Sequence, residues 1–183
     1  MLILASASPR RRELLSYIQP DFKVVTLPTS EEFDPGTTPK TMVETLALRK
    51  ARAVFELHPL DIIIGADTTV VLDGLIYEKP VDEADAFRML RALSGREHTV
   101  FTGVAILWQG GEKVFSEETA VRFTELSDEE IRAYIATGEP MDKAGAYGIQ
   151  GFGAKLVEGI NGDFYNVMGL PVCRVNKELV GVL

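Results

Sequence analysis

The run Ile62-Ile63-Ile64-Gly65-Ala66-Asp67-Thr68-Thr69-Val70-Val71-Leu72 restricts the fold more than any other stretch of the chain. Branched aliphatic residues stand three in a row on each side of GADTT and leave no polar face. Ile62–Ile64 and Val70–Leu72 therefore read as strands buried on both faces. A sheet covered on both faces needs helices packed against it, which points to an α/β fold. Asp73-Gly74 supplies a hairpin turn after the second apolar run.

Helical and extended segments alternate along the rest of the chain. Leu2 to Ala5 reads as a short strand, and Ser8-Pro9 as an N-cap followed by proline at the first helical position, predicting a helix from Pro9 to Ile18. Phe22 to Leu27 is a second strand, followed by the polar loop PTSEEFDPGTTPK. From Pro39 to Leu57, Val43, Leu46, Ala47, Val54 and Leu57 recur at helical spacing. Further helices are expected at Asp82–Leu93, after the capping box Ser127 to Glu130, and from Pro171. A long hairpin pairs Thr99–Trp108 with Lys113–Phe123 through Gly110-Gly111, and Asn161-Gly162 marks another. The 183 residues fit one domain, 1–183: a mixed sheet flanked by helices, with room for two lobes around a cleft.

Composition narrows the function. The net charge of -8 disfavours nucleic acid or an anionic membrane as partner. No apolar run approaches the roughly 18 residues of a membrane span. The single cysteine, Cys173, excludes an intrachain disulfide, and no CxxC or Cys/His cluster exists for zinc. The apolar start, Met1 to Leu4, is too short for a signal peptide, so a cytoplasmic protein is expected. Within this acidic chain, residues 1–28 carry Arg10, Arg11, Arg12 and Lys23 against Glu13 and Asp21, a local charge of +2.

That basic spot is the first candidate site. Three arginines crowd the opening turn of a helix whose N-terminus is already positive. They either converge with the Ser6 and Ser8 hydroxyls on a phosphate-bearing ligand or form a solvated patch. Lys50 is second, since it falls in the apolar stripe of the long helix, four residues from both Leu46 and Val54, while Arg49 and Arg52 lie on the polar face. It either snorkels to solvent or meets a buried anion. Asp67 with Thr68 and Thr69 is third: a carboxylate between apolar runs needs a cation, a metal or donors, or else bonds its own backbone in an Asx-turn. Glu31, Glu32 and Glu78-Lys79-Pro80 add charges of both signs, and Gln150, in the glycine-rich segment Asp142–Gly151, carries a donor and an acceptor suited to a base edge. No GxxxxGK[ST], no GxGxxG and no nucleophile motif around His58 or His98 is present.

Taken in order, LASASPRR at 4–11, EE at 31–32, RKA at 49–51, GADT at 65–68, EKP at 78–80, SGREHTVFTGVA at 94–105, DKAGAYGIQG at 142–151 and NGDFYNVMGLP at 161–171 resemble the Maf family across the whole chain. The resemblance implies a Maf/ITPase-like fold and a nucleoside triphosphate pyrophosphatase that cleaves between the α and β phosphates with a divalent cation, Mg²⁺ or Mn²⁺. It implies Asp67 as general base. The family's branch-separating positions fall on Arg10, Thr68 and Gln150, a combination similar to the dTTP/UTP branch, with modified pyrimidine nucleotides as further substrates. Charge on the phosphates would be met by Arg10, Arg11, Lys50 and Lys79 with Ser6 and Ser8, and the metal by Glu31, Glu32 and Asp67. Whether Asp67 serves as base, metal ligand or both stays open. A homodimer is compatible with the resemblance, and the chain end soon after the last helix would bear on such a contact. Two other readings stand beside this one: a non-catalytic nucleotide-binding regulator of septum formation, and nucleic-acid binding through the arginine run, which the net charge disfavours.

Overall fold

The computed structural model describes all residues, Met1–Leu183. The central strand, β3, runs unbroken from Ile62–Leu72 for 11 residues, so GADTT is part of a strand and not a turn between two. The two-strand expectation and its Asx-turn alternative fail for one reason. The Asp67 carboxylate finds a counter-charge in the Lys50 ammonium at 2.5 Å and has no need of its own backbone.

Around β3, β1 (Leu2–Leu4) and β2 (Phe22–Val24) run parallel, with Leu4 paired to Ile64 and to Val24. β4 (Leu75–Tyr77) pairs antiparallel with the end of β3 through Asp73-Gly74, both with positive φ as the tight turn requires. With β5 (Glu97–Trp108), β6 (Gly111–Phe123) and β7 (Val157–Asn161), they form a seven-stranded mixed sheet ordered β2-β1-β3-β5-β6-β7, β4 lying beside β3. β2 is three residues long instead of the expected six; Val25 adds a single bond to Leu4 before the chain leaves the sheet. After β7, Gly162 leads into α5 (Phe164–Met168), so Asn161-Gly162 joins a strand to a helix and is not a hairpin.

The chain divides into two compact units. Residues 1–68, 102–117 and 169–183 hold α1 (Pro9–Ser16), α2 (Pro39–Phe55) and α6 (Val172–Leu179). Its core gathers Ile3, Ala5, Ala47, Ala51, Val54, Ile63, Ala105 and Leu107. Here α2 lies on the backbone of the sheet. A Cβ on Gly65 would sit 2.2 Å from the Ala47 carbonyl oxygen, and one on Gly103 would sit 2.3 Å from that of Val43. Only glycine allows such an approach. Leu57 lies past the helix end, exposed, and does not belong to the buried stripe.

Residues 69–101 and 118–168 form the second unit, with α3 (Glu83–Leu93) and α4 (Asp128–Ile135), the latter opened by the Ser127–Glu130 capping box. Its core centres on Leu90, Phe123, Ile131, Tyr134 and Tyr147. Each Val, Leu or Phe side chain fully buried here or in the first unit contributes about 1.5–3 kcal/mol.

Candidate functional site

The close packing of α2 against Gly65 sets the geometry of the first unit's polar cluster. Lys50 lies on the face of α2 toward β3, and its Nζ donates to Asp67 Oδ1 at 2.5 Å and stands 3.6 Å from Glu31 Oε1. Of the two readings of Lys50, the buried anion is the one that holds. Both members of the pair are largely enclosed, Asp67 keeping 15% and Lys50 22% of side-chain exposure, so water screens the pair weakly. Asp67 Oδ2 takes no hydrogen bond and is the free oxygen of the cluster.

A second network lies beside Thr68. The guanidinium of Arg11 donates to the Gly169 carbonyl at 2.8 Å, to Ser6 Oγ at 3.1 Å and to Thr68 Oγ1 at 2.9 Å. Burial pulls the Arg11 pKa below its ordinary value; the Asp67 carboxylate acts against that shift and neighbouring Arg10 adds to it. Ser8 caps α1, accepting from the Arg11 N–H, while its own N–H donates to Ser6 Oγ. Both serine oxygens accept and neither hydroxyl proton is taken by a protein group, which leaves two O–H donors for a ligand. Thr68 Oγ1 also bonds Thr102 Oγ1 at 2.8 Å, fixing the hydroxyl next to Asp67 from two sides.

Of the residues singled out in the sequence, Ser6, Ser8, Arg11 and Thr68 thus meet in one network, and Glu31, Lys50 and Asp67 in another. Arg10 is half-buried at the start of α1. Glu32 is exposed, and it is engaged through its backbone, the carbonyl accepting from Arg49 at 2.7 Å and the N–H donating to Ser30 Oγ at 3.2 Å. Lys79 and Gln150 belong to the second unit. Lys79 is exposed and forms no ion pair; Gln150 Oε1 is buried and has no donor. A buried acceptor without a donor is costly unless a ligand supplies one.

The segment that carries Gln150 is organised by Glu139, which no sequence signal singles out. Its carboxylate accepts from the N–H groups of Phe152 and Gly153, each at 2.9 Å, and from the Tyr134 hydroxyl at 2.8 Å. Burial pushes the carboxyl up, but these donors and Lys143 outweigh it and hold the pKa below the usual value. Thr102 and Arg49 are likewise site-builders that sequence reasoning misses. Thr102 lies in the SGREHTVFTGVA stretch and Arg49 in RKA, yet nothing in the position of either announces its partners.

Glu31 and Asp67 present hard oxygen ligands within reach of one lysine. Nowhere do three or more His, Cys, Asp or Glu side chains gather as a closed metal site. This donor set fits a hard cation such as Mg²⁺ or Mn²⁺ whose shell is completed by water and phosphate oxygens. By contrast, an open groove of about 840 Å³ bounded by Phe55, Pro59, Leu60 and Trp108 includes none of these residues. No helix is long and apolar enough to cross a membrane.

Comparison with known proteins is consistent along the whole chain. The profile of the family described as Maf-like protein matches residues 1–182. A dTTP/UTP pyrophosphatase of Koribacter versatilis is 53% identical over 184 residues, covering 100% of this chain and 95% of that protein. One of Thermococcus onnurineus is 56% identical over 172 residues, 94% of this chain and 92% of that protein. One of Symbiobacterium thermophilum is 54% identical over 178 residues, 97% of this chain and 92% of that protein. Among solved structures, the Staphylococcus aureus Ham1 protein superposes with a TM-score of 0.53 at 20% identity, covering 85% of this chain and 79% of that one. A HAM1 protein from Coxiella burnetii gives 0.52 at 12% identity over 98% of both chains. At those identities the likeness concerns the fold.

Proposed function

Because the chain belongs to the family of Maf-like proteins, we propose that it is a nucleoside triphosphate pyrophosphatase acting on dTTP and UTP, releasing the monophosphate and pyrophosphate. The observation that carries this reading is the agreement of relatives 53–56% identical over 94–100% of the chain, each named dTTP/UTP pyrophosphatase. The polar clusters supply a chemistry that suits it.

Hydrolysis of the α–β anhydride adds water across one P–O bond. The water oxygen joins phosphorus, the bridging oxygen leaves with the departing phosphate, and the water proton goes to a base. Asp67 Oδ2 is the proposed acceptor, since Oδ1 is held by Lys50 and the free oxygen is left to meet water. Lys50, with two further ammonium protons, and the uncommitted hydroxyl protons of Ser6 and Ser8 are proposed to bind phosphate oxygens, assisted by Arg10 and Lys79. Arg11 already makes three bonds within the protein, so its first duty is to hold Ser6 and Thr68, and its two remaining N–H groups are what it offers a phosphate. A divalent cation, when bound, neutralises charge on the phosphate oxygens. Glu31 and Asp67 are proposed to hold it, with Glu32 as the more distant contributor.

Base choice is assigned to Arg10, Thr68 and Gln150. The unpaired Gln150 Oε1 suits the single ring N–H of uracil or thymine, and the amide NH₂ suits a ring carbonyl. A cytoplasmic location is part of the proposal and agrees with a lone, exposed Cys173. The experiment is product identification. With Mg²⁺ and dTTP or UTP, the protein should release monophosphate and pyrophosphate; diphosphate with orthophosphate contradicts the proposal.

A further inference from the structure

Arg49, next to Lys50 on α2, falls on the polar face of the helix, yet it is engaged on three sides. Its Nη1 donates to the backbone carbonyls of Ser30 at 3.1 Å and Glu32 at 2.7 Å, the residues on either side of Glu31. Its guanidinium lies over the Phe33 ring, 5.3 Å from the centroid. The segment it holds belongs to the long polar loop between β2 and α2, where Ser30 Oγ also accepts from the Glu32 N–H at 3.2 Å. The remaining tie to α2 is the Lys50–Glu31 contact, 3.6 Å long and made by a carboxylate 63% exposed. An exposed ion pair of that length orders a loop poorly. Two charge-assisted bonds to carbonyls and a stacked ring order it far better.

We propose that Arg49 is a positioning residue that pins Ser30–Phe33 to α2, so that the Glu31 carboxylate is delivered to Lys50 and Asp67. Consecutive residues of one helix then have complementary roles, Arg49 fixing the loop backbone while Lys50 receives its side chain. Without Arg49 the loop swings free, and Glu31 reaches the Asp67 cluster only for part of the time. For its catalytic consequence the proposal rests on the reading of Glu31 and Asp67 as the cation-holding pair.

Arg49→Ala and Arg49→Lys test it, the lysine keeping the charge but not the planar guanidinium that lies over Phe33 while Nη1 meets both carbonyls. Deuterium uptake in residues 28–38 should rise in Arg49→Ala and lie between the extremes in Arg49→Lys, with uptake in β3 unchanged. Mn²⁺ titration followed by electron paramagnetic resonance should show apparent affinity about tenfold weaker in Arg49→Ala. The Mg²⁺ concentration for half-maximal pyrophosphate release should rise by a similar factor, the rate at saturating Mg²⁺ falling much less. A residue that only stabilises α2 would lower Tm and leave cation dependence alone. Wild-type exchange in 28–38, or wild-type cation dependence in Arg49→Ala, overturns the proposal. Should the wild-type protein release no pyrophosphate, the pyrophosphatase reading fails, and the exchange and Mn²⁺ measurements still judge the clamp.

Discussion

In the unit built on β1, α1 and α2, the enclosed polar side chains are charged and bonded to one another, as Lys50 is to Asp67 and Arg11 to Ser6 and Thr68. In the unit built on α3 and α4, Lys143 is likewise held as a charge by Asp142 and the Glu139 carbonyl, but the buried ring groups stay neutral. There His98 Nε2 meets the Tyr147 hydroxyl at 2.7 Å, and the two rings pack edge-on with each other and with Phe123. Burial pushes the His98 pKa down to about 4 and the Tyr147 pKa up. The His98 Nδ1 has no partner, and one proton lies between Nε2 and the Tyr147 hydroxyl. Both solutions avoid an uncompensated buried charge, one by pairing and the other by neutralisation. Only the first leaves ionised groups ready to act on phosphate.

Removing the ammonium from the charged arrangement should have a larger effect than any change to the packing or to the neutral pair. Lys50→Met should lower kcat/KM for dTTP by about 10²–10³-fold, the scale of losing one donor aimed at developing charge. The steady-state rate of pyrophosphate release reads it. Next comes Gly65→Ala, whose methyl would stand 2.2 Å from the Ala47 carbonyl oxygen and must lift α2 from β3. Overpacking of this kind costs about 1–3 kcal/mol, and denaturant unfolding should show it together with a loss of activity.

The neutral arrangement is tested by pH. His98 has a folded pKa below its ordinary 6.5, so the unfolded chain binds the proton first on acidification. The stabilisation is fully present above pH 6.5 and disappears as pH falls toward 4. Between pH 7 and 5 it should amount to about 2 kcal/mol, measured as the drop in unfolding free energy of wild type relative to His98→Phe. Glu139 also loses stabilisation in acid, but over a lower range, which the difference between the two proteins cancels. The smallest effect belongs to the exposed pair Arg52–Glu112, where Arg52→Ala should change stability by no more than about 0.5 kcal/mol.

Local signals in the sequence are legible where the partner is local. Ser8-Pro9 caps α1, Ser127 and Glu130 cap α4, and Asp73-Gly74 turns β3 into β4. The inward face of α2 is legible from periodicity, and with it the position of Lys50. What escapes depends on residues far apart in the chain. Asp67 looks like a strand breaker because its counter-ion lies 17 residues away, and tertiary context overrides strand propensity. Asn161-Gly162 carries a turn signal with no following strand to pair. Helix position alone sends Arg49 to solvent, because nothing in the spacing foretells a loop folding back across the polar face. The catalytic aspartate and base-selecting positions come from the family resemblance and stay within the proposed function.

In the proposed mechanism Asp67 removes the proton from water while the rest of the cluster binds nucleotide. Asp67→Asn keeps the shape and removes the acceptor, so pyrophosphate release from dTTP under saturating Mg²⁺ is the direct measurement, made beside nucleotide affinity. The expected result is a rate lower by about 10²–10⁴-fold with affinity little changed. Turnover at the wild-type rate in Asp67→Asn would contradict it.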